Sequence, residues 1–156
     1  MQTITANQEL AIRDYLRGRH IPSGIGTKEA ACSVAAINLA LTGKLTDAVP
    51  KCMSKVIGAW IIPVQDAMPD WARNHQEWRD LLPLAAGTGR DAQAELARLG
   101  LIMDWMWGTV LPAIQPVADV GGYGDVWWRM CTERTQVAAR AAARASAADA
   151  TDAAAA

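Results

Sequence analysis

Residues 30–41 read AACSVAAINLAL, and no side chain in this stretch is charged. A helix built from this stretch is apolar all round, which is typical of a helix that is buried all round. Its small side chains would let neighbouring backbones approach closely. We therefore predict a helix over residues 27–42, with Thr27 as its N-cap and Gly43 as its C-terminal glycine. We expect it to be the centre of the fold or part of a subunit interface. The small residues are Ala30, Ala31, Ser33, Ala35, Ala36 and Ala40.

The rest of the chain also has the pattern of helices separated by glycine and proline. Thr5 and Gln8 have the spacing of a capping box at the start of a first helix over about residues 6–19. No alternating strand pattern of useful length occurs. The sequence predicts an all-α fold, a compact bundle of about six helices with Pro/Gly-kinked segments. We expect one helical domain over 1–136 and an Ala-rich helical or frayed tail over 137–156.

Composition excludes several functional classes. The chain has 15 Lys and Arg against 16 Asp and Glu, a net charge of -1, and no basic stripe that would favour nucleic acid. Three cysteines without a CxxC or Cys/His cluster predict reduced core thiols and no metal site. The N-terminus lacks a signal-peptide pattern, and the longest apolar stretch is interrupted by proline and polar residues. We expect a cytoplasmic protein without a membrane span and without a cofactor.

Two glycine loops precede predicted helices and carry cations. They are SGIGTK at residues 23–28 and GTGR at residues 87–90. Free backbone N–H groups at a helix start, together with a nearby cation, can hold an anion. Ordinary interhelical turns would have the same composition, so that alternative stays open. The candidate ligand contacts in these loops are Ser23, Gly24, Gly26, Thr27, Lys28, Gly87, Thr88, Gly89 and Arg90.

A few other residues could contribute to a site. Arg73 is the next candidate cation, and Tyr123, between glycines, could stack on a flat ligand. Asp104 lies among Trp and Met residues, where it could contact a ligand, cap a helix or accept a Trp N–H. Asp66 follows the Pro63 break and could form an acid/base pair with Asp104.

Seven tryptophans are many for a chain of 156 residues. Tryptophan buries a large area while keeping one N–H that needs a partner, so these residues favour an interface or a pocket. Trp71 and Trp78 are seven residues apart, which predicts that they share one helix face. Trp127 and Trp128 point in two directions around their helix, which predicts that one ring is exposed.

Four segments carry a resemblance to a known group of proteins. They are GIGTKEAACSVAAINLALTG at 24–43, PKCMSKVIGAWIIPVQDAMP at 50–69, LLPLAAGTGR at 81–90 and LIMDWMWGTVLP at 101–112. The chain resembles a family of small uncharacterised proteins encoded by actinobacterial phages and their hosts. The resemblance implies a context of counter-defence, in which one class of phage proteins sequesters nucleotide immune signals within oligomers. It implies no catalytic or binding residues.

These observations lead to one function and two alternatives. The first is a non-enzymatic homo-oligomer that binds or sequesters a small anionic, nucleotide-like ligand, with glycine loops on the phosphate and Trp or Tyr on the base. The second is a protein–protein interaction module, an inhibitor or adaptor, that uses exposed Trp and the small-residue helix face. The third is a small hydrolase that uses Asp66 and Asp104.

Overall fold

A computed structural model describes the backbone of residues 4–89 and 91–155 and the side chains of these residues as far as residue 149. The predicted all-α class is confirmed, since within these residues the regular structure is helical apart from one bridge pair between Gly26 and Ala31. The helices are shorter and more numerous than the six predicted. The chain divides into two compact units, Met1–Arg98 and Leu99–Ala156.

Within the described residues, the first unit contains five helices and half of a sixth. They are α1 (Ala6–Leu16), α2 (Ser33–Thr42), α3 (Lys55–Ala67), α4 (Asp70–Arg73), α5 (Gln76–Ala86) and α6 (Ala92–Trp105), which continues past the unit boundary. The predicted capping box opens α1, because the Thr5 hydroxyl accepts from the Gln8 N–H and the Gln8 side chain accepts from the Thr5 N–H. The predicted Gly43 ends α2 with a left-handed φ of 70°.

Helix α2 is the centre of the first unit, as its composition predicted. Val34, Ala35, Ala36 and Ile37 have no exposed surface. Helices α1, α3 and α5 surround it, and α1 makes the most extensive contact. The face of small residues is therefore used inside the unit, so it is not available as a subunit interface. The larger side chains packed into the same core are Ile12, Leu16, Met53, Ile61, Trp78 and Leu82.

A buried polar network ties α2 to α3 and α5. The Gln65 side-chain oxygen accepts the Ser33 N–H at the start of α2, and the Gln65 amide donates to the Pro22 carbonyl over 3.1 Å. The Ser33 hydroxyl in turn accepts the Trp78 indole N–H over 2.9 Å. Free N–H groups at a helix start need partners when they are buried, and Gln65 supplies one from a different helix.

The predicted start of α2 is wrong. The helix begins at Ser33, and Thr27 does not cap it. Instead the Thr27 hydroxyl accepts from the N–H groups of Glu29 and Ala30, which closes a separate turn. Positive φ angles at Gly24 and Gly26 bend the chain before the helix, so the residues between the loop and Ser33 are irregular.

The predicted common face of Trp71 and Trp78 also needs correction. Helix α4 ends at Arg73 and α5 begins at Gln76, so the two residues lie on different helices. The His75 side chain caps the new helix by accepting the Glu77 N–H. Trp78 is buried in the core, whereas 74% of Trp71 is exposed.

The second unit begins with the C-terminal half of α6. A π-helical turn, three short helices and a long terminal helix follow. They are the turn at Met106–Val110, α7 (Leu111–Ala113), α8 (Gln115–Val120), α9 (Gly124–Glu133) and α10 (Gln136–Ala155). Met130, Ala138 and Ala142 form its buried core, against which Trp107 and Trp127 pack. Within the described chain, no helix combines the length and apolarity that crossing a bilayer requires.

Replacing Gln65 with leucine should destabilise the first unit. The variant leaves the Ser33 N–H and the Pro22 carbonyl without their partner, which we expect to lower the unfolding free energy by about 2 kcal/mol. Urea unfolding followed by circular dichroism measures the change. Gln93→Leu, on an exposed position of α6, is the control and should change stability by less than about 0.5 kcal/mol. Equal midpoints for the two variants would contradict the structural role of Gln65.

Candidate functional site

The first glycine loop is exposed, and two of its backbone N–H groups donate to acceptors within the unit. The Gly24 N–H donates to the Asp66 carboxylate over 2.8 Å. The Thr27 N–H donates to the Ala30 carbonyl over 2.8 Å. Ser23 and Lys28 lie on the exposed surface of the loop, and the Lys28 carbonyl accepts the Tyr15 hydroxyl. The geometry gives this loop a structural role, with two charged or polar side chains left over for a ligand.

The second glycine loop is tied to the segment before α3. The Thr88 hydroxyl accepts the Ser54 N–H over 2.9 Å, and the Gly89 N–H donates to the Cys52 carbonyl over 2.7 Å. Gly87 ends α5. The candidate cation Arg90 lies outside the described residues.

The two loops lie at opposite ends of α3. The first contacts Asp66 near the C-terminal end, and the second contacts Ser54 at the N-cap. Twelve residues of helix separate these contacts, which is about 18 Å at 1.5 Å per residue. A single small anion therefore does not reach both loops.

The remaining predicted residues are dispersed. Arg73 donates to the carbonyls of Ile21 and Met68 and to the Asp70 carboxylate, so its guanidinium is a structural crosslink. Asp104 is exposed on α6, in the part that belongs to the second unit. Tyr123 meets Trp127 edge to face, with ring centroids 6.2 Å apart.

A cavity in the first unit lies beside the C-terminal end of α1. It has a volume of about 620 Å³, which is within the usual range of ligand pockets. We call it the arginine cleft. Four guanidinium groups and two carboxylates line it, together with one histidine. Its charged lining residues are Arg13, Arg17, Arg19, Arg79, His20, Asp70 and Asp80.

Two of the arginines link α1 to α5. Arg79 donates to the carbonyls of Leu16 and Arg19, both over 2.6 Å, at and just beyond the end of α1, where carbonyl groups lack helical i+4 donors. Arg13 pairs with Glu9 at 2.9 Å and reaches Asp80 at 3.4 Å, which links α1 to α5. The partly buried hydrogen bonds of Arg79 hold this wall of the cleft in place.

The other two arginines are only loosely held. Arg17 is 81% exposed and has one ion pair, with Asp14 on the same surface. Arg19 stacks on the Tyr15 ring at 4.5 Å and makes one long hydrogen bond of 3.4 Å to the Glu29 carbonyl. The exposed ion pair of Arg17 contributes little energy and is screened by salt, and Arg19 makes no ion pair with a described residue, so both guanidinium groups can turn toward an incoming anion.

A histidine–carboxylate pair completes the cleft. His20 Nε2 lies 2.8 Å from Asp70 Oδ1, which also accepts from Arg73 at 2.9 Å. The hydrogen bond from His20, with the charges of His20 and Arg73, lowers the pKa of the Asp70 carboxyl. Asp70 therefore stays ionised into mildly acidic solution and fixes the orientation of the imidazole.

Comparison of the chain with protein families, with curated proteins and with solved structures gives no match. The geometry of the chain is therefore the basis for its functional interpretation.

Sequence reasoning missed the arginine cleft, although part of its signal is local. Residues 17–20 read RGRH, three basic or titratable side chains around one glycine at a helix end. Gly18 has a φ of +67°, which turns the chain so that this segment borders the cleft. Asp70 and Arg79 come from positions more than 50 residues later, and no spacing rule connects them to α1.

The loop glycines provide a matched test of local strain. Gly24 and Gly26 both have positive φ, but a Cβ at Gly26 would overlap the Ala30 carbonyl oxygen, whereas the space around Gly24 is open. Gly24→Ala should cost about 1–2 kcal/mol from the backbone conformation alone. Gly26→Ala should cost clearly more, measured by urea unfolding. Equal losses would contradict the close approach of Ala30 to Gly26.

Proposed function

We propose that the chain binds a small anionic, nucleotide-sized ligand in the arginine cleft. The observation that carries this proposal is the presence of two loosely held guanidinium groups, Arg17 and Arg19, in the lining of a cavity whose wall Arg79 holds in place. Guanidinium groups form paired, charge-assisted hydrogen bonds with phosphate and carboxylate oxygens. The ligand class is the one expected from the sequence, but the binding residues differ from the glycine loops.

Binding without catalysis fits the lining of the cleft. His20 and Asp70 resemble the base and orienting carboxylate of many hydrolytic sites, yet no serine, threonine or cysteine is among the described residues that line the cleft. The pair therefore has no side-chain nucleophile to activate. Asp66, the carboxylate of the hydrolase alternative, already accepts the Gly24 N–H and belongs to a different unit from Asp104.

Sequestration is the biological role that we attach to this binding. The resemblance to phage-encoded proteins suggests a ligand made by the host, and a nucleotide signal would carry the negative charge that the cleft attracts. Assembly of several copies would raise the number of sites per particle. Native mass spectrometry of the protein as purified would reveal a retained ligand and the number of copies together.

Removing the two loosely held arginines should weaken binding of anions. We expect Arg17→Ala with Arg19→Ala to lower the affinity for ADP and for inorganic pyrophosphate by about tenfold or more, because two charge-assisted contacts are lost. Isothermal titration calorimetry at low salt measures the affinities.

A matched control removes the same charge elsewhere. Arg140 and Arg144 are both exposed on α10, so Arg140→Ala with Arg144→Ala changes the net charge equally without touching the cleft. Equal affinities in the two double variants would contradict the proposal. Failure of both probes to bind the unsubstituted protein, together with a bare mass in native spectrometry, would also contradict it.

A second candidate function is protein–protein interaction through an apolar surface of the first unit. Trp71 is 74% exposed and Leu81 is 54% exposed, and both border a groove of about 300 Å³ that also includes Met68 and Trp78. Neighbouring exposed apolar side chains are typical of docking surfaces. The small-residue face of α2, the other surface expected for this function, is buried.

Trp71→Ala should abolish capture of a partner if this second function is correct. The measurement is a pull-down from host cells with the unsubstituted protein, with Trp71→Ala and with Val120→Ala. Val120 is 92% exposed in the second unit, so it controls for loss of an exposed apolar side chain. The same set of captured proteins with Trp71→Ala would argue against this surface.

A further inference from the structure

The second unit contains a π-helical turn whose cause can be read from the sequence. In an α-helix the N–H of residue 112 would bond the Gly108 carbonyl, but residue 112 is proline and has no N–H. The chain winds more widely over Met106–Val110, and the Leu111 N–H reaches back five residues to the Met106 carbonyl. Such turns often occur at functional sites. Here the wide turn includes Trp107.

Helix α9 provides the facing wall. The Trp127 indole N–H donates to the Leu111 carbonyl over 2.8 Å, which fixes α9 against α7. The next residue, Trp128, is 62% exposed. The helix ends at Arg134, which has a φ of 52° and is the one described residue other than glycine with a positive φ. Its N–H donates to the Met130 carbonyl, so the backbone there is held in place.

Between these walls lies a cavity of about 330 Å³, which we call the tryptophan pocket. Trp107 and Trp128 are its aromatic lining residues. Gly108 and Pro112, which have small side chains or none, line another part of it. Neither indole N–H donates to a described residue. The other lining residues are Gln115, Cys131, Thr132 and Arg134.

Arg134 supplies a charge without a partner in the described part of the chain. Its guanidinium makes no hydrogen bond or ion pair with a described residue, in contrast to Arg129 on the same helix, which pairs with Glu133 at 2.6 Å. Gln115 and Thr132 already bond within the unit, to Asp119 and to the carbonyls of Trp128 and Arg129. Arg134 is thus the one charged residue among the described lining residues, and its guanidinium remains available at the pocket.

We propose that the tryptophan pocket is a binding site for a planar aromatic ligand that bears an anionic group. The ring of the ligand stacks on Trp128, and its anion pairs with Arg134. Aromatic rings favour stacked or edge-to-face contact with indole, and the unpartnered guanidinium selects for negative charge. A volume of about 330 Å³ is at the small end of the usual range for ligand pockets. This site is independent of the arginine cleft, whose described lining residues include no tryptophan.

Two sources of this ligand chemistry can be distinguished with matched probes. AMP and adenosine share a purine, and only AMP carries a phosphate. 2-Naphthoate and 2-naphthamide share a fused ring system, and only the first is charged. Binding of AMP without 2-naphthoate would indicate a nucleotide, and the reverse would indicate an aromatic carboxylate. Either outcome supports the site if the tests below are met.

The indole N–H signals in a ¹H–¹⁵N correlation spectrum report directly on the pocket. Trp107→Phe and Trp128→Phe assign the two relevant signals by their disappearance. We expect titration with the charged probe to shift the signals of Trp107 and Trp128 and to leave that of Trp71 unchanged. Unmoved Trp107 and Trp128 signals at millimolar concentrations of both charged probes would overturn the proposal.

The charge preference is tested by Arg134→Asn, because asparagine tolerates the left-handed backbone at this position. We expect this variant to bind the charged probe about tenfold more weakly and the uncharged analogue with nearly the same affinity. Arg129→Asn removes a cation from the same helix outside the pocket and should leave the affinity unchanged. Equal effects of the two variants would overturn the role of Arg134.

The variants of the arginine cleft separate the two sites. Arg17→Ala with Arg19→Ala should leave the shifts of Trp107 and Trp128 intact, whereas Arg134→Asn should leave pyrophosphate binding intact. Loss of the shifts in the double cleft variant alone would place the probe in the cleft and overturn the tryptophan pocket.

Discussion

The first unit depends on the hydrogen bonds of one buried glutamine side chain. Gln65 of α3 accepts the N–H that opens α2 and donates to the Pro22 carbonyl, while Ser33 accepts from Trp78. A helix as apolar as α2 has no charged side chain to anchor it in one orientation. The polar network supplies that anchor, because a shifted or rotated α2 would leave buried polar groups without partners. Gln65 therefore positions both the core, through Ser33, and the segment at Pro22 that leads into the loop at residues 23–28.

A second set of contacts connects this core to the arginine cleft. Arg79 holds the carbonyls at the end of α1, and Asn74 accepts the Ile21 N–H while its own amide donates to the Ile21 carbonyl. The segment between α1 and the loop is thereby fixed at several points. Arg17 and Arg19 remain outside this framework. Because Arg79 holds the wall in place while the guanidinium groups of Arg17 and Arg19 can move, the cleft can admit anions of different shape. This suits the binding function that we propose.

The sequence predicted much of the local structure because the signals involved are local. The capping box at Thr5 and the glycine that ends α2 at Gly43 each depend on residues within one turn. The start of α2 was missed because Thr27 can cap a turn as well as a helix. The break between Trp71 and Trp78 was missed because no proline or glycine marks it.

The sequence by itself determined that this chain is helical and that α2 is apolar all round, since helix periodicity and side-chain size are properties of neighbouring residues. Tertiary structure alone decided which polar groups remain available. The N–H groups of Gly24 and Thr27 look free in the sequence, but the Asp66 carboxylate and the Ala30 carbonyl accept from them. Arg73 looks available in the sequence, but its guanidinium donates to the carbonyls of Ile21 and Met68. The guanidinium groups of Arg17 and Arg19, in contrast, stay accessible. Hydrogen-bond partners distant in the chain make this difference, and the sequence around each residue does not reveal them.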